Sequence, residues 1–163
     1  MYGCCHAKLG GVRSRVLRIN AGDGSSLTVD KGDEPVPLRW HAVLISPGLT
    51  ATAELDNDPI LFSQPMLRDF FAELAADWRG WTGTRSWGAG ALAFDAEHDG
   101  LGHVRLTVEL ERDLYDNWKA SVPLYLDAGS LHHLAREVSS FIEGLEFGGD
   151  ERSAETSHAT FED

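Results

Sequence analysis

Regular alternation of apolar and polar side chains is the feature of this sequence that most restricts its fold. From Val104 to Glu111 every second residue is a valine or leucine, and the residues between them are polar or charged. A period of two residues is that of a β-strand with one buried face. Strands are predicted in the same way at residues 12–20, 25–30, 38–46, 49–55, 92–97 and 118–126. Short turns rich in Gly, Asp and Pro join most of them, which favours antiparallel pairing.

Two segments have the spacing of an amphipathic helix instead. The first has an apolar stripe composed of Leu67, Phe70, Phe71, Leu74, Ala75 and Trp78. Gly80 is placed to end this helix. The second follows Ser130, and its apolar residues recur at intervals of three and four from Leu131 to Leu145.

The order of these segments predicts an α+β fold. Strands and helices do not alternate singly, which disfavours a parallel doubly wound sheet. We predict one curved antiparallel sheet of six to seven strands with two helices on one face, in a single domain at residues 12–147. Residues 1–11 are predicted to be a loose arm and residues 148–163 a disordered acidic tail. No internal repeat is evident.

Charge restricts the class of partner. The chain has 26 acidic and 14 basic residues and a formal net charge of −12. This charge repels phosphate backbones, so nucleic acid is not an expected partner, whereas a basic protein is. Pro123 lies within one predicted strand and indicates a sheet edge or a bulge.

Cysteine usage and hydropathy indicate the compartment. The only cysteines are the adjacent Cys4 and Cys5, which predict no disulfide framework. No apolar run reaches the ~18 residues of a membrane span, and the N-terminus lacks the pattern of a signal peptide. We therefore expect a cytoplasmic protein without a membrane partner.

The stretch from Trp78 to Trp87 contains three of the five tryptophans, with glycines and arginines between them. We expect Trp78 and Trp81 to face the core, because Trp78 continues the stripe of the first helix. Trp87 is expected to face outward and to form a contact surface with Arg79 and Arg85, since Trp and Arg dominate protein interfaces.

Glu97, His98, Asp99 and His103 form the one cluster that resembles a catalytic or metal site. Imidazole and carboxylate groups of this kind bind zinc or iron. The same residues also fit a hairpin turn, in which Asp, Gly and His are common for backbone reasons. Because the turn explains the residues without a ligand, we predict no metal and no cofactor, with His98, Asp99 and His103 as the alternative ligands.

Several motifs together resemble a known family. They are Trp78-Arg79-Gly80-Trp81-x-Gly83-x-Arg85-x-Trp87, then Ala96-x-His98-Asp99-Gly100-x-Gly102-His103-Val104, then Trp118 and Leu126-Asp127-Ala128-Gly129. The set resembles a group of small actinobacterial (Streptomyces-type) proteins defined as domain of unknown function 6228, over roughly residues 12–145. The resemblance implies a bacterial cytosolic protein. It implies no catalytic or binding residue, because the family has no assigned activity.

These features favour a non-enzymatic protein-binding domain, such as an immunity or regulatory protein of a bacterial toxin system. The acidic charge, the Trp and Arg residues and the lack of a catalytic set support this hypothesis. The alternative is a small-ligand or metal-dependent activity at the turn that contains His98 and His103. A structural subunit of an oligomer is the third possibility, and the sequence does not define an oligomeric state.

Overall fold

The computed structural model describes residues 15–32, 39–56, 66–112 and 117–143. The strands are β1 (Val16–Asn20), β2 (Ser26–Asp30), β3 (Arg39–Ser46), β4 (Leu49–Asp56), β5 (Thr84–Ala89), β6 (Leu92–His98), β7 (His103–Arg112) and β8 (Trp118–Asp127). The helices are α1 (Leu67–Ala76) and α2 (Leu131–Glu143), and a 3-10 turn at Ala128–Ser130 leads into α2. The predicted arm and acidic tail, with Cys4 and Cys5, lie outside the described residues.

The strands form two sheets, in the orders β1-β2-β3-β4 and β5-β6-β7-β8, and every neighbouring pair is antiparallel. The α+β class is confirmed, but the prediction of one sheet of six to seven strands is wrong. The reason is that α1 separates β4 from β5, so hairpin pairing stops at β4 and starts again at β5. A further strand, β5, was also missing from the prediction.

The two halves of the described chain share one topology. Each half is an antiparallel four-stranded sheet followed by a helix, with the strands paired in chain order. The sequence shows no repeat because the shared feature is the order of the elements, and the turns and side chains of the halves differ. The structure therefore contains a repeat that the sequence did not predict.

Each helix packs on the sheet of the other half. In α2, the ring of Phe141 lies 5.0 Å from that of Trp40 on β3, edge to face. In α1, the rings of Phe70 and Phe71 lie 6.2 Å and 5.4 Å from that of Phe94 on β6. The helices also contact each other, and the inner faces of both sheets join one core. The predicted placement of both helices on one sheet is thus corrected to one helix on each sheet.

The alternating pattern of β7 is confirmed. Val104, Leu106, Val108 and Leu110 are fully buried, whereas Arg105 is exposed and Thr107 is half-buried on the opposite face. The outer faces of both sheets are mainly polar, as antiparallel sheets allow. Pro123 lies on β8, which is an edge strand of the second sheet, as its lack of an N–H requires. Among the described residues, no helix is long and apolar enough to cross a membrane.

Two neighbouring substitutions test this one-sided burial. Leu106→Asn places an amide without partners in the core and should lower the free energy of unfolding by several kcal/mol. Thr107→Asn lies on the outer face, and we expect a change of about 1 kcal/mol or less. Urea denaturation of both variants measures the difference. Equal losses would mean that both faces of the second sheet are covered.

Candidate functional site

The segment between α1 and β5 forms the most distinctive surface of the described chain. It contains Trp78, Arg79 and Trp81, which together with Arg85 of β5 and His98 of β6 we call the Trp–Arg cluster. Helix α1 ends before this segment begins, because Asp77 lies outside helical geometry at the C-cap. The amide of Gly80 then donates to the carbonyl of Asp77 at 2.8 Å, which closes a turn. Gly80 has a φ of 143°, a conformation that side chains disfavour.

The expected orientations of Trp78 and Trp87 are reversed in the structure. Trp78 is 38% exposed and Trp87 is 4% exposed. Helical spacing no longer determines the direction of Trp78, because α1 stops at Ala76. Trp87 faces inward because it lies on β5, paired with Phe94 of β6, and the two rings are 5.8 Å apart. Trp87 therefore belongs to the core, and its predicted place in an exposed contact surface is corrected.

Arg85 holds the C-terminal end of α1. Its guanidinium donates to the carboxylate of Asp77 at 2.6 Å and to the backbone carbonyl of Glu73 at 3.3 Å. Helix α1 has no basic residue in its own last turn, so Arg85 supplies the positive charge that a helix C-terminus favours. The guanidinium also lies 5.0 Å from the centre of the Trp81 ring. Arg85 is thus a structural residue as well as a surface residue.

Arg79 and Trp78 form the exposed part of the cluster. The guanidinium carbon of Arg79 lies 5.5 Å from the centre of the Trp78 ring, within the range of a cation–π contact. Arg79 is exposed. The pair presents a large apolar ring and a positive charge to solvent, and both are available to a partner.

Trp81 and His98 pack beside the exposed pair and complete the cluster. Trp81 is half-buried, packs edge to face against His98 at 5.1 Å, and its buried indole N–H has no acceptor among the described residues. His98 Nδ1 accepts from the amide of Gly100 at 2.9 Å, so Nε2 carries the proton and donates to the carbonyl of Trp78 at 3.0 Å. The imidazole therefore fixes the backbone of Trp78. Sequence reasoning missed this link, since the two residues lie in different predicted elements.

Asp99 organises the turn between β6 and β7. Its Oδ1 accepts from the amides of Leu101 at 2.7 Å and His103 at 3.0 Å. Its Oδ2 lies 2.8 Å from Nδ1 of His103. The hydrogen bonds from the backbone amides of His103 and Leu101 lower the pKa of Asp99 to about 2, because they stabilise the carboxylate.

The three alternative metal ligands do not converge on one point. Both nitrogens of His98 are engaged with backbone groups, and the carboxylate of Asp99 is used within the turn. Glu97 lies on the outer face, and the hydrogen bond from Thr84 and the ion pair with Arg105 lower the pKa of its carboxyl group. Within the described ranges, no group of three or more His, Cys, Asp or Glu residues is arranged to hold a metal ion. The geometry is that of a structural turn.

The fold and the cluster define a small α+β domain with an exposed aromatic and cationic surface. The model of the family of unknown function DUF6228 matches residues 27–144, which is most of the chain, and the protein belongs to this family. No curated protein and no solved structure gave a significant match. The matched region includes the whole Trp–Arg cluster, so the cluster lies within the family domain.

The reversed orientation of the two tryptophans has a measurable consequence. Trp87→Ala should lower the free energy of unfolding by roughly 3–5 kcal/mol, because it leaves a cavity beside Phe94. Trp78→Ala should cost about 1 kcal/mol or less, since the ring is partly in solvent and leaves no enclosed cavity. Chemical denaturation of the two variants decides between the orientations. A larger loss for Trp78→Ala would restore the arrangement expected from the helical stripe.

The lowered pKa of Asp99 predicts a dependence of stability on pH. A carboxyl group whose pKa falls from 3.8 to about 2 on folding stabilises the protein above the higher value, and this stabilisation is lost as the pH falls toward the lower one. Asp99→Asn should therefore be less stable than the wild type near neutral pH, and the difference should shrink between about pH 4 and pH 2. Thermal unfolding in buffers across this range measures it. A difference that stays constant down to pH 2 would contradict the role of the carboxylate.

Proposed function

We propose that this protein is a non-enzymatic protein-binding domain that contacts its partner through the Trp–Arg cluster. The observation that carries the proposal is the exposure of Trp78, which is 38% accessible with Arg79 stacked beside it. Tryptophan and arginine are the residues most enriched among the energetically dominant positions of protein interfaces. A large ring held at the surface beside a guanidinium is thus best explained by a partner outside the chain.

The cluster is also rigid in the way that an interface requires. His98 fixes the carbonyl of Trp78, and Arg85 fixes the end of α1 through Asp77. A surface that is already ordered loses little conformational entropy when it binds, which raises affinity.

The net charge of −12 favours a basic partner, because opposite charges accelerate encounter and exclude acidic competitors. More specifically, we propose that the protein is a cytoplasmic bacterial immunity or regulatory protein that binds a toxin. Size, acidity and fold class support this form by analogy. The alternative activity at His98 and His103 has no specific observation in its favour, since both ring nitrogens of His98 and Nδ1 of His103 are engaged in the turn and the cluster.

The proposal is tested by measuring partner binding to the wild type and to two variants. The side chains replaced in the two variants are exposed to almost the same extent. Trp78→Ser removes the ring of the cluster, whereas Leu49→Ser removes an apolar side chain that is 39% exposed at the other sheet. The candidate partner is the product of the gene beside that of this protein, produced separately and titrated by calorimetry. We expect Trp78→Ser to weaken binding by about 2 kcal/mol or more, as at other interface tryptophans, and Leu49→Ser to leave it unchanged.

Equal affinities of the three proteins for any partner obtained would contradict the proposed surface. A partner that binds the Leu49→Ser variant poorly and the Trp78→Ser variant normally would move the interface to the tip of the first sheet. Circular dichroism of each variant confirms that it is folded before binding is measured.

A further inference from the structure

Strand β5 is an edge strand of the second sheet. It pairs only with β6 among the described strands, so its other edge presents backbone N–H and C=O groups without strand partners. An unpaired edge of this kind is a template for an added strand. The exposed residues of β5 are Thr84, Ser86 and Gly88. Ser86 and Gly88 are small and leave the backbone accessible.

The other edge of the same sheet carries features that prevent strand addition. Strand β8 includes Lys119 and Pro123, and proline has no N–H to donate to a new strand. Strand β5 contains neither lysine nor proline. Within the part of the chain that the structure describes, β5 therefore lacks the lysine and proline that protect the edge at β8.

A groove of about 440 Å³ runs between this edge and α1. Its lining residues are Phe70, Glu73, Ala76, Asp77, Arg85 and Ser86. Arg85 and Ser86 are consecutive on β5 and point to opposite faces, so the groove follows the backbone edge of the strand. The lining residues of α1 lie on one side of that helix and form one wall of the groove. Buried Phe70 forms the apolar base of the groove.

The charge of the groove is negative on the side of α1. The carboxylate of Asp77 is paired with Arg85, but Glu73 is exposed, and only its backbone carbonyl takes part in a contact described for it. A basic side chain that enters the groove from an added strand would meet Glu73 without displacing an existing ion pair. The net charge of −12 acts in the same direction at longer range.

We infer that the edge of β5 opposite β6 binds an extended basic segment of the partner protein by strand addition, with alternate Lys or Arg side chains directed into the groove beside Glu73. The inference rests on the proposed protein-binding function and adds the mode and the chemistry of recognition. In such complexes the backbone hydrogen bonds supply affinity and the alternate side chains supply specificity. The Trp–Arg cluster lies at the start of β5, so it flanks the end of the added strand.

The test uses synthetic peptides of about eight residues and the whole protein. One peptide alternates lysine with threonine, and a second replaces each lysine with glutamate. Two analogues of the first are N-methylated, one at every lysine and the other at every threonine, because each pattern blocks one edge of the peptide. Affinities are measured by fluorescence anisotropy for the wild type, for Glu73→Lys and for Glu137→Lys, which makes the same charge change on the exposed face of α2.

We expect the lysine peptide to bind and the glutamate peptide not to bind. At least one N-methylated analogue should lose binding, and Glu73→Lys should weaken the lysine peptide about fivefold or more relative to Glu137→Lys. Equal binding of both analogues and the parent would overturn strand addition, and equal affinities of the two variants would overturn the role of the groove. A failure of the lysine peptide to bind would also overturn the inference. It would leave the proposed function standing if Trp78→Ser still abolished capture of a protein partner.

Discussion

Each helix packs on the sheet formed by the other half of the chain, and the remaining structure depends on this exchange. Phe141 of α2 covers Trp40 in the first sheet, and Phe71 of α1 covers Phe94 in the second. A sheet with one apolar face needs a covering layer, and here that layer comes from a distant part of the chain. Neither half buries its own core, so the two halves are stable as one unit. Such long-range contacts slow folding, because a large loop must close before the core forms.

The end of each exchanged helix is held by a cation from the half of the chain whose sheet that helix covers. Neither helix has a basic residue in its own last turn. Arg85 donates to the carbonyl of Glu73 in α1, and buried Lys31 donates to the carbonyl of Phe141 in α2. The positive charge stabilises the helix C-terminus, and it also fixes the helix against that sheet. The two halves therefore repeat this interaction as well as their topology, with arginine in one half and lysine in the other.

The local pattern of the sequence predicted more of the fold than of the candidate site. Alternation identified β7 and β8, because a buried strand face imposes its period directly on the residues. It missed β5, where Gly88 and Ser86 weaken the contrast between the faces. It also misplaced Trp78 and Trp87, since the direction of each ring depends on where α1 ends and on how β5 pairs with β6. The division into two sheets was not predictable either. The alternation of apolar and polar residues in a strand does not depend on which other strand pairs with it.

In the proposed complex, the acidic surface and the Trp–Arg cluster would act at different distances from the partner. On the outer faces, cations such as Arg39 and Lys119 are paired with carboxylates, at 3.2 Å from Glu54 and 2.8 Å from Glu109. Because these cations are neutralised locally, the excess of acidic residues determines the long-range electrostatic field of the protein. Arg79 instead lies over the ring of Trp78, where it adds a cation to an apolar contact. Salt screens the field beyond about 10 Å and leaves the burial of a ring largely unaffected. In the proposed complex, the charge would therefore govern the rate of encounter, and the cluster would govern the lifetime of the complex.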